Sequence, residues 1–171
     1  KCFKRVIDFV ASLMALIVLS PVLLVLIIVG AIAMKGNPFF LQPRPGQKGK
    51  DGKEKIFYLI KLRTMSNAKD KDGNLLPDDQ RLGKYGAWLR STSLDELPEL
   101  ANITLGQLSL CGPRPFLVRD MVFMSDEQRR RHDVRPGLTG LAQINGRNNI
   151  TWEQKIEYDL QYIDEGITFL G

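Results

Sequence analysis

The sequence predicts an α+β protein, with a membrane segment that is either a re-entrant helix-break-helix or one spanning helix, followed by a small, mostly helical domain that carries a β-hairpin and interfacial amphipathic helices. Three observations predict this class. A long uncharged run begins near the start of the chain, two strand-like segments follow it, and capping signatures then open several short helices. We place the membrane segment at residues 1–36 and the second domain at residues 37–171.

The first element is an apolar segment of 26 consecutive uncharged residues from Phe9 to Met34. As one helix it would be about 39 Å long, more than the ~30 Å hydrocarbon core of a bilayer requires. Ser20 and Pro21 divide the run, because proline lacks the N–H that a helix interior needs and Ser-Pro is a good start for a new helix. One interpretation is therefore a pair of arms that reach mid-bilayer and return.

Basic residues flank both ends of this segment, with Lys4 and Arg5 before it and Lys35 after it. Such residues tend to stay on the cytoplasmic side, which favours a hairpin with both ends on one side of the membrane. A straight spanning helix with a proline kink accounts for the same residues, whereas the buried hairpin of a soluble protein is disfavoured. From charge and proline alone, the first two alternatives stay open.

The charge of the chain is unevenly distributed. Lys and Arg number 24 against 19 Asp and Glu, and residues 35–63 hold eight of the bases but only two acids. Because this basic patch directly follows the apolar segment, anionic lipid or a phosphorylated substrate suits it better than nucleic acid. His132 is the only histidine and the two cysteines show no metal spacing, so catalysis and metal binding fall to carboxylates, which suit Mg²⁺.

A β-hairpin is predicted from strands at Phe39–Gln42 and Ile56–Thr64 with a Gly- and Lys-rich turn between them. Alternation places four apolar residues of the second strand on one face: Ile56, Tyr58, Ile60 and Leu62. Lys61 and Arg63 project together from the other face, where two cations are either solvated or available to a phosphate.

The stretch Ser93–Leu100, SLDELPEL, has two interpretations. Ser93 and Glu96 have the spacing of a capping box, in which the glutamate folds back to the serine backbone. Asp95 and Glu96, close in sequence to Arg90, could instead be a catalytic pair. A helix start is a suitable place to present Asp95 to a phosphate, so we expect Ser93 alone to cap the helix and Glu96 to point outward.

The remaining elements are predicted to be short. Ser125 and Thr151 each open a helix through a capping box, and residues 135–148, rich in glycine, form a loop that can approach a phosphate closely. A short helix within 111–124 places large apolar side chains on the core or on the membrane surface: Phe116, Leu117, Met121 and Met124. The apolar stripe of the last helix is Trp152, Ile156, Leu160 and Ile163.

Taken together, these motifs resemble the bacterial sugar transferases, which are monotopic polyprenyl-phosphate phosphoglycosyl transferases. Each motif alone is weak, but their joint order and spacing are specific, and the resemblance covers nearly the whole chain. The motifs are KRVID before the apolar run, the Ser-Pro break within it, FFLQPRPG, KLRTM, SLDELPEL, GPRP and RPGLTGLAQINGR. The re-entrant segment of this family breaks at Ser-Pro, which favours the hairpin at Ser20 and Pro21.

The resemblance implies a reaction in which a UDP-sugar gives its phosphosugar to polyprenyl phosphate, usually undecaprenyl phosphate, and UMP is released. By family likeness Asp95 is the nucleophile that forms a covalent phosphosugar intermediate, and Glu96 binds Mg²⁺. A carboxylate is ionised at neutral pH and needs no general base, which suits the role given to Asp95. The implied location is the cytoplasmic face of the bacterial inner membrane, where both substrates can be reached.

Six residues are predicted to bind the substrates: Lys61, Arg63, Arg90, Pro113, Arg114 and Arg147. Family likeness assigns Arg114 of GPRP and Arg147 of NGR to the nucleotide and its phosphates. Two other classes of protein stay open, a glycosyl transferase that releases UDP and a non-enzymatic scaffold whose basic patch binds the membrane surface. The sequence identifies neither the sugar nor the oligomeric state.

Overall fold

The computed structural model describes residues 2–146 and 149–166. Six α-helices lie in these ranges: α1 Cys2–Met34, α2 Asp78–Arg81, α3 Lys84–Thr92, α4 Glu99–Thr104, α5 Leu141–Ile144 and α6 Trp152–Asp164. The four strands are β1 Phe39–Lys48, β2 Glu54–Leu62, β3 Ser109–Cys111 and β4 Gly137–Thr139. Three 3₁₀ turns cover Leu94–Glu96, Val118–Phe123 and Gln128–His132. The predicted α+β class, with a long apolar helix and a small β-hairpin, is confirmed.

Helix α1 is long and apolar enough to cross a membrane, and it runs without a break through Pro21. The predicted new helix start at Ser20 is therefore wrong. Pro21 cannot donate to the carbonyl of Ile17, but the Ser20 hydroxyl donates to that carbonyl over 2.7 Å. Because the exposed acceptor keeps a partner, the helix continues past the proline.

The N-terminal half of α1 packs against the domain that follows it. Arg5 donates to the carbonyls of Ile103 and Thr104 at the end of α4, over 2.8 and 2.6 Å. Ser12 and Thr104 share a hydrogen bond of 2.9 Å. Further along, α1 covers a buried cluster with three apolar side chains, Ala15, Leu16 and Leu19. The buried members of that cluster are Phe57, Leu59, Leu100, Ile103 and Leu108.

The C-terminal half of α1 contacts the same domain through a second cluster. Leu26 is buried there with Leu62 of β2 and Leu89 of α3. The Tyr85 hydroxyl donates to the Leu26 carbonyl over 2.7 Å. One side of α1 is therefore part of the domain core over most of its length, while the large apolar residues on its other side are exposed.

Strands β1 and β2 form the predicted antiparallel hairpin, which pairs Phe39 with Leu62 at one end and Lys48 with Glu54 at the other. The buried face of β2 differs from the apolar face that the alternation suggested. Phe57 and Leu59 are buried, whereas Tyr58 is 61 % exposed. The reason is that α4 packs against the face that carries Lys61, so this cation is directed into the domain rather than into solvent.

Residues 135–148 were predicted to be a loop, but they contain strand β4 and helix α5, and β4 pairs in parallel with β3. Ser109 pairs with Gly137 and Cys111 with Thr139. A Cβ added to Gly137 would overlap the backbone of Gly112. Glycine at this position therefore permits the close approach of the two chain segments.

Both predicted capping boxes form, but only the one at Thr151 opens an α-helix, because the helix predicted after Ser125 is the 3₁₀ turn Gln128–His132 with Glu127 as its N-cap. Ser125 and Gln128 exchange side-chain and backbone hydrogen bonds of 2.9 and 3.3 Å, and Thr151 and Gln154 do the same over 2.9 and 3.2 Å. The short helix predicted within residues 111–124 is instead the 3₁₀ turn Val118–Phe123, which leaves Phe123 exposed. The side of α6 that faces the core carries Ile156, Asp159 and Tyr162.

Candidate active site

The backbone at Asp95 and Glu96 is not a regular α-helix. Helix α3 ends at Thr92, and Ser93 follows it in the left-handed conformation with φ 57°, where its N–H donates to the Arg90 carbonyl over 3.3 Å. Asp95 and Glu96 then lie in a single 3₁₀ turn before α4 begins. Ser93 is thus the C-cap of α3, and the prediction that its side chain alone caps the start of the next helix is wrong.

Glu96 points outward, as expected for a residue that binds a ligand. Its Oε1 lies 2.8 Å from Lys61 Nζ and also accepts from Arg114 Nη2. Burial acts to raise the pKa of Glu96, but Arg114 and Lys61 outweigh it and hold that pKa below its ordinary value. Glu96 is therefore a carboxylate at neutral pH, and its position depends on residues far away in sequence.

A third carboxylate, Glu99, completes this cluster and was missed by the sequence analysis. Its side chain is 2 % exposed, and Lys61 Nζ lies 3.2 Å from its Oε1 without hydrogen-bond geometry. Burial raises the pKa of Glu99, while Lys61 opposes that rise. The three-residue spacing from Glu96 could have indicated it, since residues three apart in a helical turn lie on one side.

Asp95 is half-buried beside the same cluster. Burial raises its pKa above the ordinary value, the Glu96 charge adds to the rise, and Lys61 and Arg90 oppose it. Asp95 and Glu96 are adjacent in sequence, yet their pKa values move in opposite directions. Such divergence between neighbouring carboxylates is typical of sites where the two groups have different tasks.

Two cavities meet at Lys61 and Glu96, which line both of them. The cavity on the Asp95 side has a volume of about 530 Å³. Its polar lining includes Arg63, Thr64, Arg81, Arg90 and Asp95. The cavity on the other side has a volume of about 330 Å³. Its lining includes Arg44, Glu99, Arg114, Phe116, Gln143 and Lys155. The two cavities therefore offer space for one ligand on each side of the Glu96 carboxylate.

Four of the six predicted binding residues are brought to these cavities, namely Lys61, Arg63, Arg90 and Arg114. Arg90 Nε donates to Thr64 Oγ1 over 2.9 Å, which fixes its guanidinium at the rim. Pro113 is buried and lines neither cavity, and its carbonyl accepts from Gly137 N over 2.9 Å. Arg147 lies outside the described residues.

Two lining residues, Arg44 and Gln143, were not predicted, although they lie in the motifs FFLQPRPG and RPGLTGLAQINGR. Arg44 donates to the Pro115 carbonyl over 2.9 Å and to Gln42 Oε1 over 2.6 Å. Gln143 is more unusual, since both polar atoms of its amide are buried and neither has a hydrogen-bond partner among the described residues. A buried amide in this state is costly unless a ligand supplies its partners.

A buried ion pair supports the wall of the smaller cavity. Arg131 donates to Asp159 Oδ2 over 3.0 and 2.5 Å and to the Arg114 carbonyl over 2.6 Å, and its guanidinium lies 3.8 Å from the centre of the Phe116 ring. Burial raises the pKa of Asp159 to about 6 even though Arg131 opposes the rise. This pair connects α6 to the GPRP segment and so positions Arg114.

The residues around Asp95 suit a magnesium ion that is shared with a substrate. In residues 2–146 and 149–166 no group of three or more His, Cys, Asp or Glu side chains could hold a metal by itself. Both cations on Glu96 contact Oε1, and no described residue hydrogen-bonds Oε2. One or two carboxylates together with substrate phosphates are a usual environment for Mg²⁺.

Comparison with known proteins agrees with this geometry. The profile of the bacterial sugar transferase family matches residues 1–170. The chain belongs to the bacterial sugar transferases. This sugar transferase is 46 % identical over 167 residues to the uncharacterized sugar transferase EpsL of Bacillus subtilis (strain 168), covering 98 % of the chain and 80 % of EpsL.

Two further relatives have printed names that describe a role. The UDP-glucose:undecaprenyl-phosphate glucose-1-phosphate transferase of Klebsiella pneumoniae is 42 % identical over 174 residues, covering 94 % of the sugar transferase but only 36 % of that relative. The exopolysaccharide production protein ExoY of Rhizobium meliloti (strain 1021) is 32 % identical over 183 residues, with 97 % and 79 % covered. The sugar transferase thus spans most of some relatives and about a third of others.

Proposed function

We propose that this chain transfers a phosphosugar from a UDP-sugar to polyprenyl phosphate, with undecaprenyl phosphate as the expected acceptor. The products are polyprenyl-diphospho-sugar and UMP, and the reaction is the first membrane step in the assembly of a glycoconjugate. One observation carries the proposal. Asp95 lines one of two cavities that are lined by cations and Glu96 lines both, in a chain related to a UDP-glucose:undecaprenyl-phosphate glucose-1-phosphate transferase.

Asp95 is the proposed nucleophile. A carboxylate oxygen attacks the phosphorus that bears the sugar, a P–O bond to this oxygen forms, and the bond to the bridging oxygen breaks as UMP leaves. An oxygen of polyprenyl phosphate then attacks the same phosphorus, and the Asp95 carboxylate is released. No proton has to be removed from the nucleophile, because the anion is the reactive form.

The cations reduce the electrostatic repulsion between the Asp95 carboxylate and the diphosphate that it attacks. Lys61, Arg63 and Arg90 line the cavity beside Asp95, and Arg114 lines the one beyond Glu96. Fixed cations in a cavity with little water stabilise charge that develops on phosphate oxygens. Arg63 and Arg90 are suited to the phosphosugar side, and Arg114 is suited to the nucleotide side.

Mg²⁺ is the proposed cofactor, and Glu96 is its proposed protein ligand. When bound, the ion would neutralise diphosphate charge. Glu96 is suited to this task because Lys61 and Arg114 keep it ionised and hold its Oε1 in place. The sugar transferase should therefore lose transfer activity in EDTA and regain it with added Mg²⁺.

The proposed location is the cytoplasmic face of the bacterial inner membrane, with α1 re-entrant rather than spanning. The support is that α1 contacts one domain at two places about 30 Å apart along its axis, through Arg5 at Thr104 and through Leu26 at Tyr85. A helix that crossed the bilayer along its normal would carry one of these contacts into the hydrocarbon core. The exposed apolar side of α1 is then the surface that faces lipid.

The transfer reaction is tested by screening UDP-sugars with undecaprenyl phosphate and Mg²⁺ and measuring nucleotide release. The proposal expects UMP from the preferred donor, and a phosphosugar adduct on the protein when the acceptor is omitted. Asp95→Asn should give neither product. Release of UDP would mean simple glycosyl transfer, and absence of release with every donor would favour the non-enzymatic scaffold.

Membrane topology is tested separately with single cysteines in a Cys2→Ser/Cys111→Ser background. Positions before Phe9 and after Met34 should both react with an impermeant thiol reagent from the cytoplasmic side alone. Labelling of the two positions from opposite sides would establish a spanning helix and would leave the transfer chemistry untouched.

A further inference from the structure

A third cavity, with a volume of about 240 Å³, lies toward the turn end of the β1–β2 hairpin. It shares no lining residue with the two cavities at Asp95 and Glu96. Three of the described residues that line it are cations and none is an acid: Lys48, Lys55 and Arg135. Two of these belong to the basic patch of residues 35–63, which the proposed transfer reaction uses only at Lys61 and Arg63.

The positive charge of this cavity is poorly neutralised. Lys48 Nζ lies 2.7 Å from Asp133 Oδ1. In the described part of the chain, neither Lys55 nor Arg135 has an ion pair or a side-chain hydrogen bond. Burial together with the nearby Arg5 lowers the pKa of Arg135, and Asp8 only partly offsets this. Two cations are thus held close together without a protein anion of their own, which favours an anionic ligand.

The cavity lies next to the point where α1 becomes uncharged. Gly106 lines it with φ +83°, and a Cβ added there would lie 3.0 Å from Arg5 Nη2, so Arg5 lies directly behind the cavity wall. The uncharged run begins at Phe9, about one helical turn after Arg5. Leu105, which precedes Gly106, is 68 % exposed. Cations beside exposed apolar residues at the end of a membrane helix suit an amphiphilic anion.

We propose that the cavity lined by Lys48, Lys55 and Arg135 binds a phosphate group, and that an anionic phospholipid headgroup beside α1 supplies it. The site is separate from the two cavities at Asp95 and Glu96, because it shares no lining residue with either of them. It gives the basic hairpin a role in orienting the domain on the bilayer. It does not depend on the proposed transfer reaction.

The experiment is native mass spectrometry of the full chain in a neutral detergent, titrated with phosphatidylglycerol or with phosphatidylcholine. The wild-type chain should carry one phosphatidylglycerol adduct in preference to phosphatidylcholine. Lys55→Gln/Arg135→Gln should weaken that binding about 25-fold, from about fivefold for each cation near a membrane surface. Asp95→Asn should retain the adduct, because the catalytic site is elsewhere.

The matched control is Lys69→Gln/Lys71→Gln, which removes the same charge from exposed positions in a surface loop. This variant should bind phosphatidylglycerol as tightly as the wild type. Equal losses in both double variants would show a general charge effect and overturn the proposal, as would equal binding of the two lipids by the wild type. Displacement of the adduct by millimolar inorganic phosphate would support a phosphate site but overturn the assignment to a lipid headgroup.

Discussion

Lys61→Met provides a sharp test of how the carboxylate cluster is held together. Lys61 Nζ lies 2.8 Å from Glu96 and 3.2 Å from Glu99. Glu96 has Arg114 as a second ion-pair partner, whereas Lys61 is the one described cation within ion-pair distance of the buried Glu99. Removing one partner of a buried ion pair costs ~3–5 kcal/mol, and the lower end applies because Lys61 is partly accessible. At ~2–4 °C per kcal/mol, the melting temperature should fall by about 6–12 °C.

The decisive measurement is rescue by a second substitution. Because the loss arises from the uncompensated Glu99 charge, Lys61→Met/Glu99→Gln should recover most of the melting temperature, measured by circular dichroism in detergent micelles. The double variant should still transfer poorly, because Lys61 is also placed beside Asp95. Lys155→Met is the matched control, since Lys155 lines the same cavity without an ion pair to any described acid, and its melting temperature should stay near that of the wild type.

The stability of Lys61→Met should depend on pH because the Glu99 carboxylate has lost its ion-pair partner. Burial raises the pKa of Glu99, so the folded state binds this proton more tightly than the unfolded state and gains stability as pH falls. The deficit in melting temperature of Lys61→Met should therefore shrink as the pH falls from neutral through the raised pKa of Glu99. A double variant that melts as low as Lys61→Met, or a deficit that does not change with pH, would refute the assignment of the loss to Glu99.

Three further predictions concern individual side chains. Because burial raises the pKa of Asp95, UMP release should decline with falling pH sooner than for an ordinary carboxylate, and Asp95→Asn should raise the melting temperature at neutral pH. An Ala side chain at Gly86 would overlap the Thr64 carbonyl oxygen, so Gly86→Ala should destabilise the fold by ~1–3 kcal/mol, measured by thermal melting. Gln143→Leu should raise KM for the UDP-sugar without lowering the melting temperature, because a buried amide without partners is removed; an unchanged KM in steady-state kinetics would contradict this role.

The features that could be predicted from sequence are those decided by neighbours in the chain. Both capping boxes at Ser125 and Thr151 form, because serine or threonine and the glutamine three residues later have no stronger partners. The same signature fails at Ser93, because Glu96 is drawn to Lys61 and Arg114, which lie 35 and 18 residues away. Local spacing describes what a side chain can reach, and tertiary packing decides which of its partners it takes.

The sequence predicted only part of the active site, because tertiary packing decides which side chains reach it. Lys61 was recognised as one of two cations on a strand face, but only the packing of α4 shows that this face is turned into the domain. Glu99, Gln143 and Lys155 reach the cavities from elements that no single motif connects. Pro21 was predicted to break the apolar helix, but α1 continues because the Ser20 hydroxyl donates to the carbonyl that Pro21 leaves without a donor.

The packing of α1 along the domain has a consequence for how this protein can be handled. Leu59, Leu62 and Leu89 are buried partly by side chains of α1, from Ala15 to Ile27. A fragment that begins after residue 36 would expose to water the apolar side chains that α1 covers in both clusters. We expect such a fragment to aggregate rather than to be a soluble catalytic domain. Completion of the domain and entry of α1 into the bilayer are then one folding event. Detergents that compete for α1 should be judged by whether they leave these leucines covered.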